Sequence, residues 1–166
     1  MTDTEATRRR ALQIAAGVAA VSAIGTTASA APRNTPDVVG VWKLVAATTT
    51  DPGGKQVAVP YGPRGMGIVS LTTDGRMMAV LVDGRSKLPD GTTREYSSYC
   101  GNYTFDGSTL TTTVDANSDP ARFTAPQVRK VRFQGELMIL QPPPGEVGGV
   151  KVNRELTWEK ISSVSL

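Results

Sequence analysis

The sequence predicts an all-β domain closed into a single antiparallel up-and-down barrel, and three observations carry that expectation. Beyond residue 38 the apolar residues come in short runs broken by turn vocabulary, which is the pattern of successive strands. Glycine-bearing pairs punctuate those runs at Asp74-Gly75, Asp106-Gly107 and Gln134-Gly135, where glycine takes the positive φ that a tight turn requires. The last run alternates cleanly, with Val152, Arg154, Leu156 and Trp158 on one face and Lys151, Asn153, Glu155, Thr157 and Glu159 on the other. About eight strands in one small domain favour closure, because a closed barrel leaves no exposed edge.

Taken in order, Val39 to Thr49 reads as the first strand, with Trp42, Leu44 and Ala46 on one face, and Asp51-Pro52-Gly53-Gly54 stops it. Val57 to Pro60 is a short segment before the loop Tyr61-Gly62-Pro63-Arg64-Gly65. Met66 to Thr72 and Arg76 to Val82 form a hairpin, and the polar stretch Asp83 to Thr93 reads as a long loop or lid at one end of the barrel. Glu95 to Phe105 pairs with Ser108 to Val114, whose threonines suit strand backbone. Residues 116–126 form a second rim loop, and Gln127 to Phe133 and Glu136 to Gln141 make another hairpin. Pro142-Pro143-Pro144-Gly145 cannot continue a central ladder and marks a connection, after which Val150 to Glu159 is the final strand.

Residues 1–30 read as an export signal rather than as part of the fold. Arg8-Arg9-Arg10 precedes a small-residue apolar stretch from Ala11 to Ile24, and Ala28-Ser29-Ala30 precedes a cut at Ala30/Ala31. The arginine cluster matches the twin-arginine variant, served by the Tat export machinery, although the usual Phe is absent after Arg10. The apolar stretch is shorter than the roughly 20 residues a membrane span needs. The expected organisation is therefore a signal at 1–30, a flexible lead at 31–38 and a barrel at 39–162, secreted to the cell envelope or exterior.

Without residues 1–30 the chain keeps 15 basic and 13 acidic residues, a mild, dispersed charge that excludes an electrostatic footprint for nucleic acid. The densest basic group, Arg129-Lys130-Val131-Arg132, reads as solvated surface. Cys100 is the single cysteine and histidine is absent, which rules out an internal disulfide, multi-cysteine metal sites and histidine-based catalysis. Asp115-Ala116-Asn117-Ser118-Asp119 lacks the oxygen set of a dedicated calcium loop. No phosphate loop or dinucleotide fingerprint occurs, so neither metal nor cofactor is expected.

Gly40-Val41-Trp42-Lys43-Leu44-Val45 resembles the lipocalin-type Gly-x-Trp opening. Tyr61-Gly62-Pro63-Arg64-Gly65, Thr73-Asp74-Gly75-Arg76-Met77, Tyr99-Cys100-Gly101-Asn102-Tyr103-Thr104, Gln127-Val128-Arg129 and Leu156-Thr157-Trp158-Glu159 follow in order. Together, over nearly all of residues 38–160, they resemble the bacterial and fungal lipocalin-like domain family. The resemblance implies a small calycin-type barrel with an internal cavity. It also implies an arginine over the Trp42 indole, with Arg154 preferred and Arg76 or Arg132 as alternatives. Some related barrels in natural-product pathways act as cyclases or isomerases, but no shared catalytic signature transfers to these residues.

Within that barrel Trp42 reads as the plug of one end and Gly40 as the residue that lets backbone approach it. Strand alternation puts Tyr99, Gly101, Tyr103 and Phe105 on one face and Tyr96, Ser98, Cys100, Asn102 and Thr104 on the other. Either face fits inward, and Tyr99 and Tyr103 are the preferred polar anchors. On the preceding strand Met78-Val80-Val82 is the expected interior row, with Met77-Ala79-Leu81 competing. Met66, Met78 and Val80 are then adaptable wall residues. Catalysis would draw on Glu95, Tyr96, Tyr99 or Tyr103, while Cys100 reads as an inert thiol. The expected function is binding of a small hydrophobic molecule by a monomer or homodimer. The alternatives are a cofactor-independent cyclase or isomerase of a polyketide- or terpenoid-like substrate, and a filled barrel used for structure or partner binding.

Overall fold

The computed structural model describes residues 37–162 apart from Phe123; the signal and most of the lead read from the sequence lie outside the described residues. Ten antiparallel strands follow in chain order: β1 (Gly40–Thr50), β2 (Gln56–Ala58), β3 (Gly65–Leu71), β4 (Arg76–Asp83) and β5 (Tyr96–Phe105), then β6 (Thr109–Asn117), β7 (Gln127–Gln134), β8 (Leu137–Gln141), β9 (Gly145–Val147) and β10 (Val150–Ser162). Eight of them, β1, β3 to β8 and β10, form a continuous sheet that closes where β1 pairs with β10. β2 and β9 are short extensions on β1 and β10. The chain is thus all-β and barrel-forming, as the turn-punctuated apolar runs require.

Closure depends on curvature, and the β1–β10 seam supplies it with register shifts at Val41/Trp42 and Leu44/Ala46. Such bulges bend and twist a strand so that the sheet can meet its own edge. The first shift lies beside Gly40, whose φ is +136°. A Cβ there would fall 2.6 Å from Lys160 Cε and 2.7 Å from the Ser162 carbonyl oxygen, so only glycine fits between the seam strands.

The interior row alternates on every strand. Trp42 and Leu44, Val69 and Leu71, Met77, Ala79 and Leu81, Leu110, Val131, Met138 and Leu140, and Leu156 and Trp158 form one buried cluster. On β4 the row that turns inward is Met77-Ala79-Leu81-Asp83, and Met78, Val80 and Val82 face out, which reverses the expected register. The neighbours explain the reversal. Met77 and Ala79 pair with Leu71 and Val69 on β3 and with Gly101 and Tyr99 on β5. Exchanging rows would move Val69 and Leu71, both fully buried, into water.

The two ends of the barrel are built differently. At one end β3–β4, β5–β6 and β7–β8 are joined by the tight connections 72–75, 106–108 and 135–136. Their polar atoms are satisfied locally, with Asp106 Oδ1 accepting from the Ser108 and Thr109 amides at 2.8 and 2.7 Å. Trp42 sits behind them, 2% exposed, and its Nε1 donates to the Val38 carbonyl at 2.9 Å. Phe133 lies against the indole at 6.3 Å between ring centroids. The other end carries the longer connections 51–64, 84–95, 118–126 and 142–149.

The cation over Trp42 is Lys160, whose ammonium stands 5.1 Å from the ring centroid, and not Arg154, Arg76 or Arg132. β10 continues past Glu159 to Ser162, so its inward row reaches Lys160, the cross-strand partner of Trp42. Arg154 pairs with Thr49 near the opposite end. Arg76 and Arg132 are engaged elsewhere, with Asp115 and Glu155.

Candidate ligand-binding site

Between the inward rows and the long connections lies a cavity of about 350 Å³. Its floor is aliphatic and aromatic, made by Val69, Ala79, Leu81, Leu140, Leu156 and Trp158. These side chains come from β3, β4, β8 and β10, each at a position whose alternation sends it inward. Higher on the wall stand Tyr61, Ser97, Tyr99, Gln127, Arg129 and Arg154, and the mouth is edged by Arg122, Pro142, Pro143 and Glu146. The space is amphipathic rather than predominantly apolar.

The polar wall is ordered from within. The Arg129 guanidinium lies 5.8 Å from the Tyr99 ring centroid, close enough for attraction to the aromatic face. Its Nη1 donates to the Val128 carbonyl at 2.8 Å and its Nη2 to Gln127 Oε1 at 3.3 Å. Among the described residues neither Arg129 nor Arg154 forms an ion pair. At the floor, the buried Trp158 Nε1 has no acceptor among the described residues.

Tyr61 enters the cavity from the connection between β2 and β3 and holds φ at +62°. A bulky residue in that region costs of order 1–3 kcal/mol and persists only where the surroundings impose it. Here they do. The Tyr61 amide donates to the Glu95 carboxylate, and Gly62 is held against the Asp83 carboxylate, with 2.8 Å between Asp83 Oδ2 and a Cβ built at that glycine. Asp83, 2% exposed, in turn accepts from Arg85 Nε at 3.0 Å and Nη2 at 2.5 Å. Arg94 Nη1 donates to the Asp83 and Arg85 carbonyls. The Arg85 side chain holds the Asp83 carboxyl below its usual range, against the opposing effect of burial. Burial raises the Tyr61 phenol above its ordinary value, while Ser97, Arg154 and Arg122 oppose that shift.

Of the residues expected to bind ligand, Tyr99 lines this cavity. Tyr103 shares its inward face but lies nearer the tight-turn end, where its hydroxyl donates to the Thr72 carbonyl at 2.8 Å; it does not reach the cavity. Burial and the neighbouring Asp37 and Asp74 raise its phenol's pKa. Met66, Met78 and Val80 stand on the outer surface at 58%, 56% and 36% exposure, so they are not wall residues. Glu95 is exposed and engaged with the Tyr61 backbone, and the Tyr96 hydroxyl donates to Ser98 Oγ at 2.9 Å on the outer face. Neither lines the cavity itself, although both line the opening beside it with Arg122 and Arg154, and Glu95, Tyr96, Tyr99 and Tyr103 do not all line one space. Cys100 faces outward with Met78 and Val80.

Arg129, Arg154 and Tyr61 are cavity residues for which the sequence had suggested other roles or none. Arg129 belongs to a charged run that reads as solvated surface, yet Val131 and Phe133 share its parity on β7 and are buried and half-buried. That alternation is the signal that turns Arg129 inward while Lys130 and Arg132 face out. Tyr61 carries no local signal, because its position depends on Glu95 and Asp83 from a distant segment.

Comparison with protein families matches residues 39–161 to a model described as a lipocalin-like domain. Comparison with curated proteins finds no match, and comparison with solved structures finds none either.

Proposed function

The chain belongs to the lipocalin-like domain family, and from that premise we propose that it binds a small molecule inside its barrel. The observation that carries the reading is the cavity of about 350 Å³, with an apolar floor and polar groups gathered toward its mouth. That volume lies at the small end of the range for ligand pockets. The ligand's apolar body leaves water for the floor of Val69, Ala79, Leu81 and Trp158, and its polar atoms meet Tyr99 and the arginines. Burying about 200 Å² of apolar ligand surface supplies about 5 kcal/mol before the cost of immobilisation.

The test is native mass spectrometry of the gently purified protein, followed by denaturing extraction. A retained, stoichiometric small molecule is expected. Ala79→Phe, which fills the floor where Ala79 faces Val69 and Tyr99, should release it without changing the β-sheet circular dichroism signal. Retention unchanged by Ala79→Phe would sink the cavity as the binding place. The twin-arginine-type leader read in residues 1–30 supports binding outside the cytoplasm, and N-terminal sequencing of exported protein should begin at Ala31.

A further inference from the structure

Resting on that cavity reading and deepening it, we infer that the ligand is an organic anion, a carboxylate on a compact apolar body, received by Arg129 and Arg154. The two guanidiniums belong to inward rows of β7 and β10, strands that flank β8. Lys130 pairs with Gln141 and Leu156 with Leu140. Continuing the first ladder by one residue and the second by two brings Arg129 and Arg154 to the same height on either side of Pro142. Their backbones are about 10 Å apart at two strand spacings, within the reach of two arginine side chains that converge on one small group.

The charge around them is unbalanced. On the outside and at the rim, Arg76, Arg85, Arg122 and Arg132 each meet a carboxylate, at 2.5, 2.5, 3.2 and 2.9 Å, while Arg94 donates to backbone carbonyls and Arg64 is exposed to water. Arg129 and Arg154 meet none among the described residues, although they project into a partly enclosed space where an uncompensated charge is costly. The acidic residue lining the cavity is Glu146, on the exposed strand β9. Glu95 shares the adjoining mouth with Arg122 and Arg154, where its Oε2 accepts from the Tyr61 amide, but it forms no ion pair with Arg129 or Arg154.

Arg129 is also preorganised. Gln127, the Val128 carbonyl and the Tyr99 ring fix its plane, so little side-chain freedom remains to be lost on binding. A planar, oriented guanidinium with free N–H groups is the geometry that receives a carboxylate edge. Tyr61 and Tyr99 line the same cavity. A neutral ligand would leave both guanidiniums desolvated and unpaired, which selects against it.

The experiment compares 2-naphthoate with its uncharged isostere 2-naphthamide, titrated into the full-length protein by calorimetry. The native protein should bind the naphthoate at least roughly tenfold more tightly. Arg154→Gln and Arg129→Gln should each remove most of that preference, narrowing the ratio of the two affinities toward one. Equal affinity of the native protein for the two probes would overturn the anion assignment and leave the binding cavity standing. Failure of both probes to bind would overturn the cavity reading and the assignment together. Because the probe pair is read first on the native protein, the result does not depend on a variant folding.

Discussion

The tight-turn end and the long-loop end of this barrel are made from the same eight strands, yet they solve opposite problems. At the first, three short connections let side chains from every direction meet behind Trp42, and the interior is filled. At the second, longer connections leave a cavity and depend on a charged clamp, Asp83 with Arg85 and Arg94, to hold their course. The difference teaches that close packing and open space are separated along the barrel axis. Apolar packing is concentrated at the tight-turn end, and polar, partly strained structure surrounds the cavity.

The largest effect that would break this comparison lies at the filled end. Trp42→Ala removes an indole buried against Phe133 and Val38 and abolishes the bond to the Val38 carbonyl. A cost of about 3–5 kcal/mol is expected in denaturant unfolding. A loss under about 1 kcal/mol would mean that this end is not the stability centre.

A matched pair sharpens the contrast. Leu110 and Leu81 are both buried, but Leu81 faces the cavity and so lacks packing partners on one side. Leu110→Ala should cost about 4 kcal/mol and Leu81→Ala about 2 kcal/mol, because contacts already missing cannot be lost. Equal costs would show that the cavity wall is packed as fully as the plug.

The clamp at the open end predicts a local, pH-dependent effect. Since Arg85 lowers the folded-state pKa of Asp83, its contribution is fully present at neutral pH and fades as pH falls through that lowered value, beneath the usual carboxylate range. Acidification should therefore speed amide exchange in 84–95 and 61–64 before the tight-turn end responds. Asp83→Asn should produce the same pattern already at pH 7. Simultaneous exchange at both ends would remove the separation.

Much of the filled end was legible in the sequence. Glycine-centred turns and period-two alternation located the hairpins, and Gly-x-Trp marked the plug of one end. The cation over Trp42 was not, because it depends on β10 running on to Ser162 rather than stopping near Glu159. The open end was harder to read for physical reasons. Tyr61 is positioned by Glu95 and Asp83, which are remote in the chain, and Arg129 is disguised by charged neighbours that point the other way. β4 is apolar on both faces, so its own residues could not choose a row; Val69 and Leu71 on β3 chose it.

That choice makes the smallest effect a decisive one. If Met77-Ala79-Leu81 is the interior row, then Met66, Met78 and Val80 contribute apolar surface only to the outside. Replacing each singly with serine should change stability by no more than about 0.5 kcal/mol, as for ordinary surface positions. Affinity for 2-naphthoate should stay within about twofold, because none of the three lines the cavity. A loss of about 2 kcal/mol at Met78, with weakened binding, would restore the opposite row. It would turn Ala79 and Leu81 outward, and with them Val69 on β3 and Tyr99 on β5, because residues paired across a sheet share a face. The inward position of Tyr99, and therefore the cation–aromatic contact that orients Arg129, stands or falls with this register.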